Sequence, residues 1–226
     1  MKIAASAFVF DAYGTLFDVH SIAALAERIA PGHGAALSRL WRTKQLEYTW
    51  LQSLMATPRY PREDFAAITA HALDYAIAAL VLPLDAAARR QLLDAYQALT
   101  PFPDAGDVLS ALAPRPRWIL SNGTRAMLDP LVRAALDGLI DGVISVDEVD
   151  VYKPSPRVYQ LAVDRLKLPP EHIAFVSSNG WDAAGAKAFG FTTFWINRDG
   201  VPTERHGPAP DHALATLTDM LSLVDS

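Results

Sequence analysis

The residues able to do chemistry in this chain stand directly behind short apolar runs. Ala7-Phe8-Val9-Phe10 ends in Asp11, with Gly14 and Thr15 close behind. A carboxylate there can act as nucleophile or base, and the Thr15 hydroxyl and the backbone amides after Asp11 can orient it. Trp118-Ile119-Leu120 ends in Ser121-Asn122-Gly123, a set that suits an anion such as a carboxylate or phosphate. Ile173-Ala174-Phe175-Val176 runs into Ser177-Ser178-Asn179-Gly180-Trp181-Asp182. Lys153-Pro154 follows a further run, Gly142-Val143-Ile144, at some distance. Lys153 is the cation that would keep Asp11 ionised once buried. Each group also has a plain reading. An Asp after a strand often bonds its own backbone, Ser-Asn-Gly makes turns, Lys-Pro is common in solvated loops, and Asp182 can start a helix.

The elements that carry these groups can be read from the pattern. Four apolar residues before a glycine-containing turn indicate a buried strand, and Thr193-Phe194-Trp195-Ile196 adds a fifth run. Helical stretches near 105–112, 126–136, 155–166 and 182–189 alternate with the later strands. Such alternation implies right-handed crossovers and a parallel sheet covered on both faces, an α/β, Rossmann-like doubly wound core. Parallel strands bring their carboxyl ends to one edge, so the four polar clusters can meet in one cleft. Ser155-Pro156 reads as a helix start, and Asp129-Pro130 should kink or restart its helix.

Between Asp18 and Leu99 no strand-like run occurs. Helices are expected at 21–29, 35–55, 64–80 and 85–99, broken by Pro31-Gly32, Pro58 to Pro61 and Pro83, with Asp85 an N-cap. This insertion predicts two units: a catalytic core of residues 1–18 and 99–226, and a helical cap subdomain of 19–98. In the cap, Arg42, Leu46 and Thr49 share one helix face, and Trp41, Tyr48 and Trp50 supply apolar area, most of it for packing.

Composition removes several function classes. The 226 residues include no cysteine, which excludes disulfide scaffolds, zinc knuckles and thiol catalysis. A net charge of −5 gives no general attraction to nucleic acid. The six histidines are scattered without metal-ligand spacing. Pro31-Gly32-His33-Gly34 lacks the third glycine and the preceding strand of a dinucleotide fingerprint. Lys2 and the apolar residues up to Phe10 read as a strand rather than a targeting segment, and no stretch approaches the ~20 apolar residues of a membrane span. A soluble cytoplasmic protein is expected.

With these residues in view, the chain resembles the haloacid dehalogenase superfamily: Asp-x-x-x-Thr, then Ser-Asn, Lys-Pro and a late acid. In detail it is similar to the (S)-2-haloacid dehalogenases, also called L-2-haloacid dehalogenases. The likeness is carried by residues 10–18 and by Leu40-Trp41-Arg42 with Lys44-Gln45-Leu46-Glu47-Tyr48-Thr49-Trp50-Leu51. It continues in Leu120-Ser121-Asn122-Gly123, Val151-Tyr152-Lys153-Pro154 with Arg157-Val158-Tyr159, and Phe175-Val176-Ser177-Ser178-Asn179 with Trp181-Asp182. Phosphatases of the superfamily carry a second Asp where this chain has Tyr13, and a metal-binding acid where it has Ser177-Ser178. Magnesium wants several carboxylate or phosphate oxygens, so the resemblance implies a site without metal or other cofactor.

The resemblance also implies roles. Asp11 attacks C2 of a small halogenated carboxylate and forms an ester. Arg42 receives the halide with Asn122, while Ser121 and the amides of Ala12 and Tyr13 hold the carboxylate. Leu46, Phe65 and Trp181 surround the alkyl part, and Tyr13 and Trp181 wall an apolar pocket. Asn179, Asp182 and Lys153 position the water that opens the ester; Thr15, Tyr159 and Ser177 support them. A homodimer is implied as well. Thr43 and Thr124-Arg125 depart from residues common in the family and bear on substrate range. A magnesium-dependent phosphatase and a non-enzymatic binding module of the same fold are the competing readings.

Overall fold

A computed structural model describes residues 3–19 and 21–225. Met1, Lys2, His20 and Ser226 lie outside the described residues, and with them the Lys2 end of the expected first strand region and one of the six histidines. Five strands run where the apolar runs stand: β1 (Ala7–Phe10), β2 (Arg117–Ser121), β3 (Gly142–Ser145), β4 (Ile173–Ser177) and β5 (Thr192–Ile196). A sixth, β6 (His212–Leu214), was not expected. Its three residues are half-buried or exposed and give no apolar run to read; the strand forms by pairing with β5, with His212 stacked on Phe194.

All pairings are parallel, in the order β3-β2-β1-β4-β5-β6. β1 is central and wholly buried, its Phe8 and Phe10 each contributing about 1.5–3 kcal/mol by burial. The chain winds outward in opposite directions from β1 and β4, so a crevice opens beyond their carboxyl ends. Asp11 extends the ladder by one bond, its N–H donating to the Val176 carbonyl at 2.9 Å. Gly14 then turns the chain at φ +90°, a left-handed conformation that a glycine adopts without strain.

Between β1 and β2 come α1 (Ser21–Ile29), α2 (Gly34–Met55), α3 (Phe65–Ala79), α4 (Ala86–Tyr96) and the short α5 (Ala105–Ala111). Asp64 and Asp85 cap α3 and α4 through their side chains. α1 and α2 approach so closely that a Cβ on Gly34 would overlap the backbone of Glu27. Arg62, after α2, reaches Asp147 at 2.7 Å and Asp150 at 3.1 Å, and the Tyr152 hydroxyl donates to the Glu63 carbonyl at 2.8 Å.

The sheet is flanked by α6 (Arg125–Ala135), α7 (Pro156–Leu166) and α8 (Gly180–Phe189). Pro130 neither ends nor restarts α6, which continues through it as one helix. Pro156 stands at the start of α7, but the Ser155 side chain makes no capping bond. Among the described residues no helix is long and apolar enough to cross a membrane.

Candidate active site

Asp11 sits at the carboxyl end of β1 with only 6% of its surface exposed. Its Oδ1 accepts from Lys153 Nζ at 3.1 Å. Its Oδ2 accepts from the Thr15 hydroxyl at 3.1 Å and from Asn179 Nδ2 at 2.9 Å. Thr15 can donate to Asp11 because its own oxygen accepts the Ser178 N–H at 2.8 Å. Three donors from three parts of the chain therefore fix both oxygens of one carboxylate.

Lys153 carries the arrangement to a second carboxylate. Nζ also donates to Asp182 Oδ2 at 2.8 Å, and the Tyr159 hydroxyl donates to Asp182 Oδ1 at 2.8 Å. Burial opposes a charged Lys153, but the Asp11 and Asp182 carboxylates more than offset it and hold the ammonium above the usual lysine value. Burial likewise raises the Asp182 carboxyl, to about 6; Lys153 lowers it and the Asp11 charge adds to the rise. Burial and the Asp182 carboxylate push the Tyr159 phenol well above its ordinary value, so it stays a donor.

Ser177 supports the turn after β4, its hydroxyl accepting the Asn179 N–H at 3.1 Å. Asn179 is the N-cap residue of α8 but makes no side-chain capping bond. Its amide is committed elsewhere: Nδ2 to Asp11, and Oδ1 accepting from Arg42 at 3.3 Å. The helix end gives up a cap, worth about 1 kcal/mol, to hold the carboxylate. Ser121 closes β2 fully buried, and its hydroxyl accepts the Gly123 N–H at 3.1 Å. Asn122 Oδ1 accepts the Lys153 N–H at 3.0 Å. The head of α6 itself is served by Thr124, which caps it through Met127. Arg125 turns to Asp129 and the Val143 carbonyl.

Arg42 projects from α2, its guanidinium donating to Gln45 at 2.7 Å and to the Tyr13 carbonyl at 3.4 Å as well as to Asn179. Phe65 packs on Tyr13 with ring centroids 5.5 Å apart. Leu46 and Trp181 border different cavities. Leu46 borders one of about 450 Å³ together with Arg42 and Asn179. Trp181 meets Trp50 edge to face, 5.4 Å apart, in another of about 700 Å³ that also touches Lys153. Ala12 is buried. Among the described residues no three His, Asp or Glu side chains stand close enough to hold a metal ion.

A family model for haloacid dehalogenase-like hydrolases matches residues 5–190. An (S)-2-haloacid dehalogenase of Pseudomonas sp. strain YL is 47% identical over 222 residues, 96% of this chain and 93% of the relative. The enzyme of that name from Xanthobacter autotrophicus is 48% identical over 193 residues, covering 85% and 75%. The chain belongs to the (S)-2-haloacid dehalogenases. A crystal structure of the Xanthobacter autotrophicus L-2-haloacid dehalogenase with chloropropionic acid covalently bound superposes on it with a TM-score of 0.88, at 41% identity and covering 97% and 98% of the two chains.

In this dehalogenase several contributing residues escaped the sequence reading. Gln45 is fully buried and accepts from both Arg42 and the Tyr96 hydroxyl, the latter at 2.9 Å, while its amide donates to Thr69 at 2.7 Å. Its spacing of three from Arg42 on one helix was the available signal. Ser178 was read only as part of the run after β4 and given no role, because its partners Thr15 and Gly14 lie far away in sequence.

Proposed function

We propose that the protein hydrolyses short-chain (S)-2-haloacids to (R)-2-hydroxyacids and halide, through an ester on Asp11. The observation that carries this reading is the fixing of both Asp11 oxygens by Lys153, Thr15 and Asn179. A carboxyl group so held is aimed, which favours attack at a near-attack distance. An oxygen of Asp11 displaces the halide from C2 with inversion, and the halide leaves with the bonding pair. Arg42 is the nearby charge for that anion, with Asn122 beside Lys153; Ser121 and the amides of Ala12 and Tyr13 take the substrate carboxylate. Leu46 lines the alkyl side from the cavity it shares with Arg42, Phe65 backs Tyr13, and Trp181 borders the other cavity beside Lys153.

In the second step water adds to the ester carbonyl carbon, the bond to the hydroxyacid oxygen breaks, and Asp11 is regenerated carrying the water oxygen. Asp182, joined to Asp11 through Lys153, accepts a proton from that water while the departing alkoxide takes one. Tyr159 and Ser177 hold Asp182 and Asn179 in register. The cation facing both carboxylates is an ammonium, which supports a reaction needing no divalent ion.

The four helices within 19–98 are read as a cap subdomain on a core of 1–18 and 99–226, and the ties from Arg62 and Glu63 to Asp147, Asp150 and Tyr152 fit a seated cap. Exposed Leu51, Met55, Tyr60 and Tyr75 on and beside α2 and α3 support a homodimer.

The test is halide release from (S)-2-chloropropionate after exhaustive chelation, with a phosphate-ester assay alongside. Chloride and (R)-lactate are expected in equal amounts, unaffected by the chelator. Phosphate release restored by magnesium, with no chloride, would establish the phosphatase instead.

A further inference from the structure

Most of the site is placed by strand ends. Asp11 directly follows β1, and Ser121 and Ser177 are the last residues of β2 and β4. Lys153 has no such support. β3 ends well before it, at Ser145, and between them the chain makes only a short 3₁₀ turn at Val146–Glu148. This segment is tied instead to the helical insertion that follows β1. Arg62, its side chain only 4% exposed, donates to Asp147 at 2.7 Å and to Asp150 at 3.1 Å. Its guanidinium also lies 4.4 Å from the centre of the Tyr152 ring. Tyr152 stands next to Lys153 and is held twice more. Its N–H donates to Ser53 Oγ at 3.1 Å, and its hydroxyl to the Glu63 carbonyl at 2.8 Å.

We propose that Arg62 is a positioning residue for Lys153, clamping the 147–153 segment to the helical insertion so that the ammonium stays between Asp11 and Asp182. This deepens, and rests on, the dehalogenase reading. The bonds of Arg62 go to the segment and not to the site. A planar fork that spans two carboxylates and stacks on a ring fixes three residues of the segment at once. Asp150 takes a left-handed φ of +52°, which a residue other than glycine adopts infrequently, so the segment does not relax into this path unaided. Ser53, Arg62 and Glu63 all belong to the insertion, and the placement of the ammonium therefore follows the seating of the insertion.

A clamp that acts through Lys153 leaves a mark that a purely structural one does not. Asp182 faces Lys153, Tyr159 and, across the ammonium, Asp11. Burial raises the Asp182 carboxyl and Lys153 lowers it, so an ammonium held less firmly leaves that carboxyl higher. The acid limb of kcat should then move upward. Simple long-range charge predicts something else. Removing the Arg62 cation would raise Asp182, but removing the Asp147 and Asp150 carboxylates would lower it.

The experiment is the pH profile of kcat for chloride release from (S)-2-chloropropionate by the full chain, with thermal unfolding alongside. Arg62→Met and the double variant Asp147→Asn with Asp150→Asn should both move the acid limb upward, by about half a pH unit or more. Both should lower kcat at pH 7 by about threefold or more. Arg89→Met removes a pair with Asp74 inside the insertion, between α4 and α3, and should leave the limb in place. Opposite movements in the two clamp variants would reduce Arg62 to a distant charge and overturn the proposal. A lower unfolding temperature with the limb unmoved would make the clamp structural only, and would overturn it too, as would an equal movement in Arg89→Met. Absence of chloride from the unaltered chain would instead refute the dehalogenase reading itself.

Discussion

Lys153 Nζ lies 3.1 Å from Asp11 Oδ1, joining residues 142 positions apart in the chain at a site where both are buried. The same ammonium is 2.8 Å from Asp182, so both buried carboxylates are paired with it. Ion pairs of this kind are costly to break because a lost partner leaves an uncompensated charge.

Lys153→Met should therefore destabilise the protein by about 3–5 kcal/mol at pH 7. The deficit should shrink toward pH 5, where the Asp182 carboxyl, raised to about 6, can take up a proton. Urea unfolding at the two pH values measures both effects. Equal deficits at both would show that the carboxylates do not rely on the ammonium.

Asp182 is raised to about 6 by burial, with Lys153 working against the rise. A folded-state value above the usual one favours the folded state below about pH 4, and that contribution is lost as pH rises through about 6. For turnover the sign is opposite, since only the carboxylate can accept the water's proton. kcat should fall below about pH 6 as Asp182 protonates. Tyr159→Phe removes a bond that favours the carboxylate, so it should move that acid limb upward. Asp182→Asn should lower ester hydrolysis by about 10²–10⁴-fold and leave the ester trapped. A pH profile with no acid limb would remove Asp182 from the proton transfer.

Arg42→Ala should slow first chloride release by about 10²–10³-fold, because the departing anion loses its charged partner. Gln45→Leu should do part of the same damage without touching substrate. It removes the 2.7 Å acceptor of the Arg42 guanidinium and leaves the buried Tyr96 hydroxyl without its acceptor, at about 1–3 kcal/mol. The readout is stopped-flow chloride release together with thermal unfolding. A Gln45→Leu enzyme of normal rate would show that Arg42 needs no support.

If Asp11 is the nucleophile, a single turnover in heavy-oxygen water with enzyme in excess should label the Asp11 peptide and not the hydroxyacid. If Asp11 only activated water for direct attack on C2, the label would appear in the first product. Stereochemistry inverts in both cases, so the isotope decides. Asp11→Ala should abolish chloride release with the fold intact.

The core was legible because its strands are apolar runs ended by polar residues. Phe10 before Asp11, Leu120 before Ser121 and Val176 before Ser177 mark three strand ends within a residue of where they fall. β6 was illegible, since His212-Ala213-Leu214 carries no burial pattern and is a strand only by virtue of its neighbour. α8 begins two residues before Asp182 because Gly180 and Trp181 join its first turn, with Asn179 at the cap.

The sequence by itself determined that Asp11, Ser121, Ser177 and their followers would share one sheet edge. Parallel pairing of buried runs allows little else, and burial is written locally in residue type and spacing. Which side chains then bond was decided by tertiary packing. Asn179 gives up its helix cap for Asp11 and Arg42, Gln45 turns inward to hold Arg42, and Trp181 meets Trp50 rather than Tyr13. Those choices depend on distances between segments far apart in the chain, and on the cost of leaving buried polar atoms without partners. Local pattern carries neither.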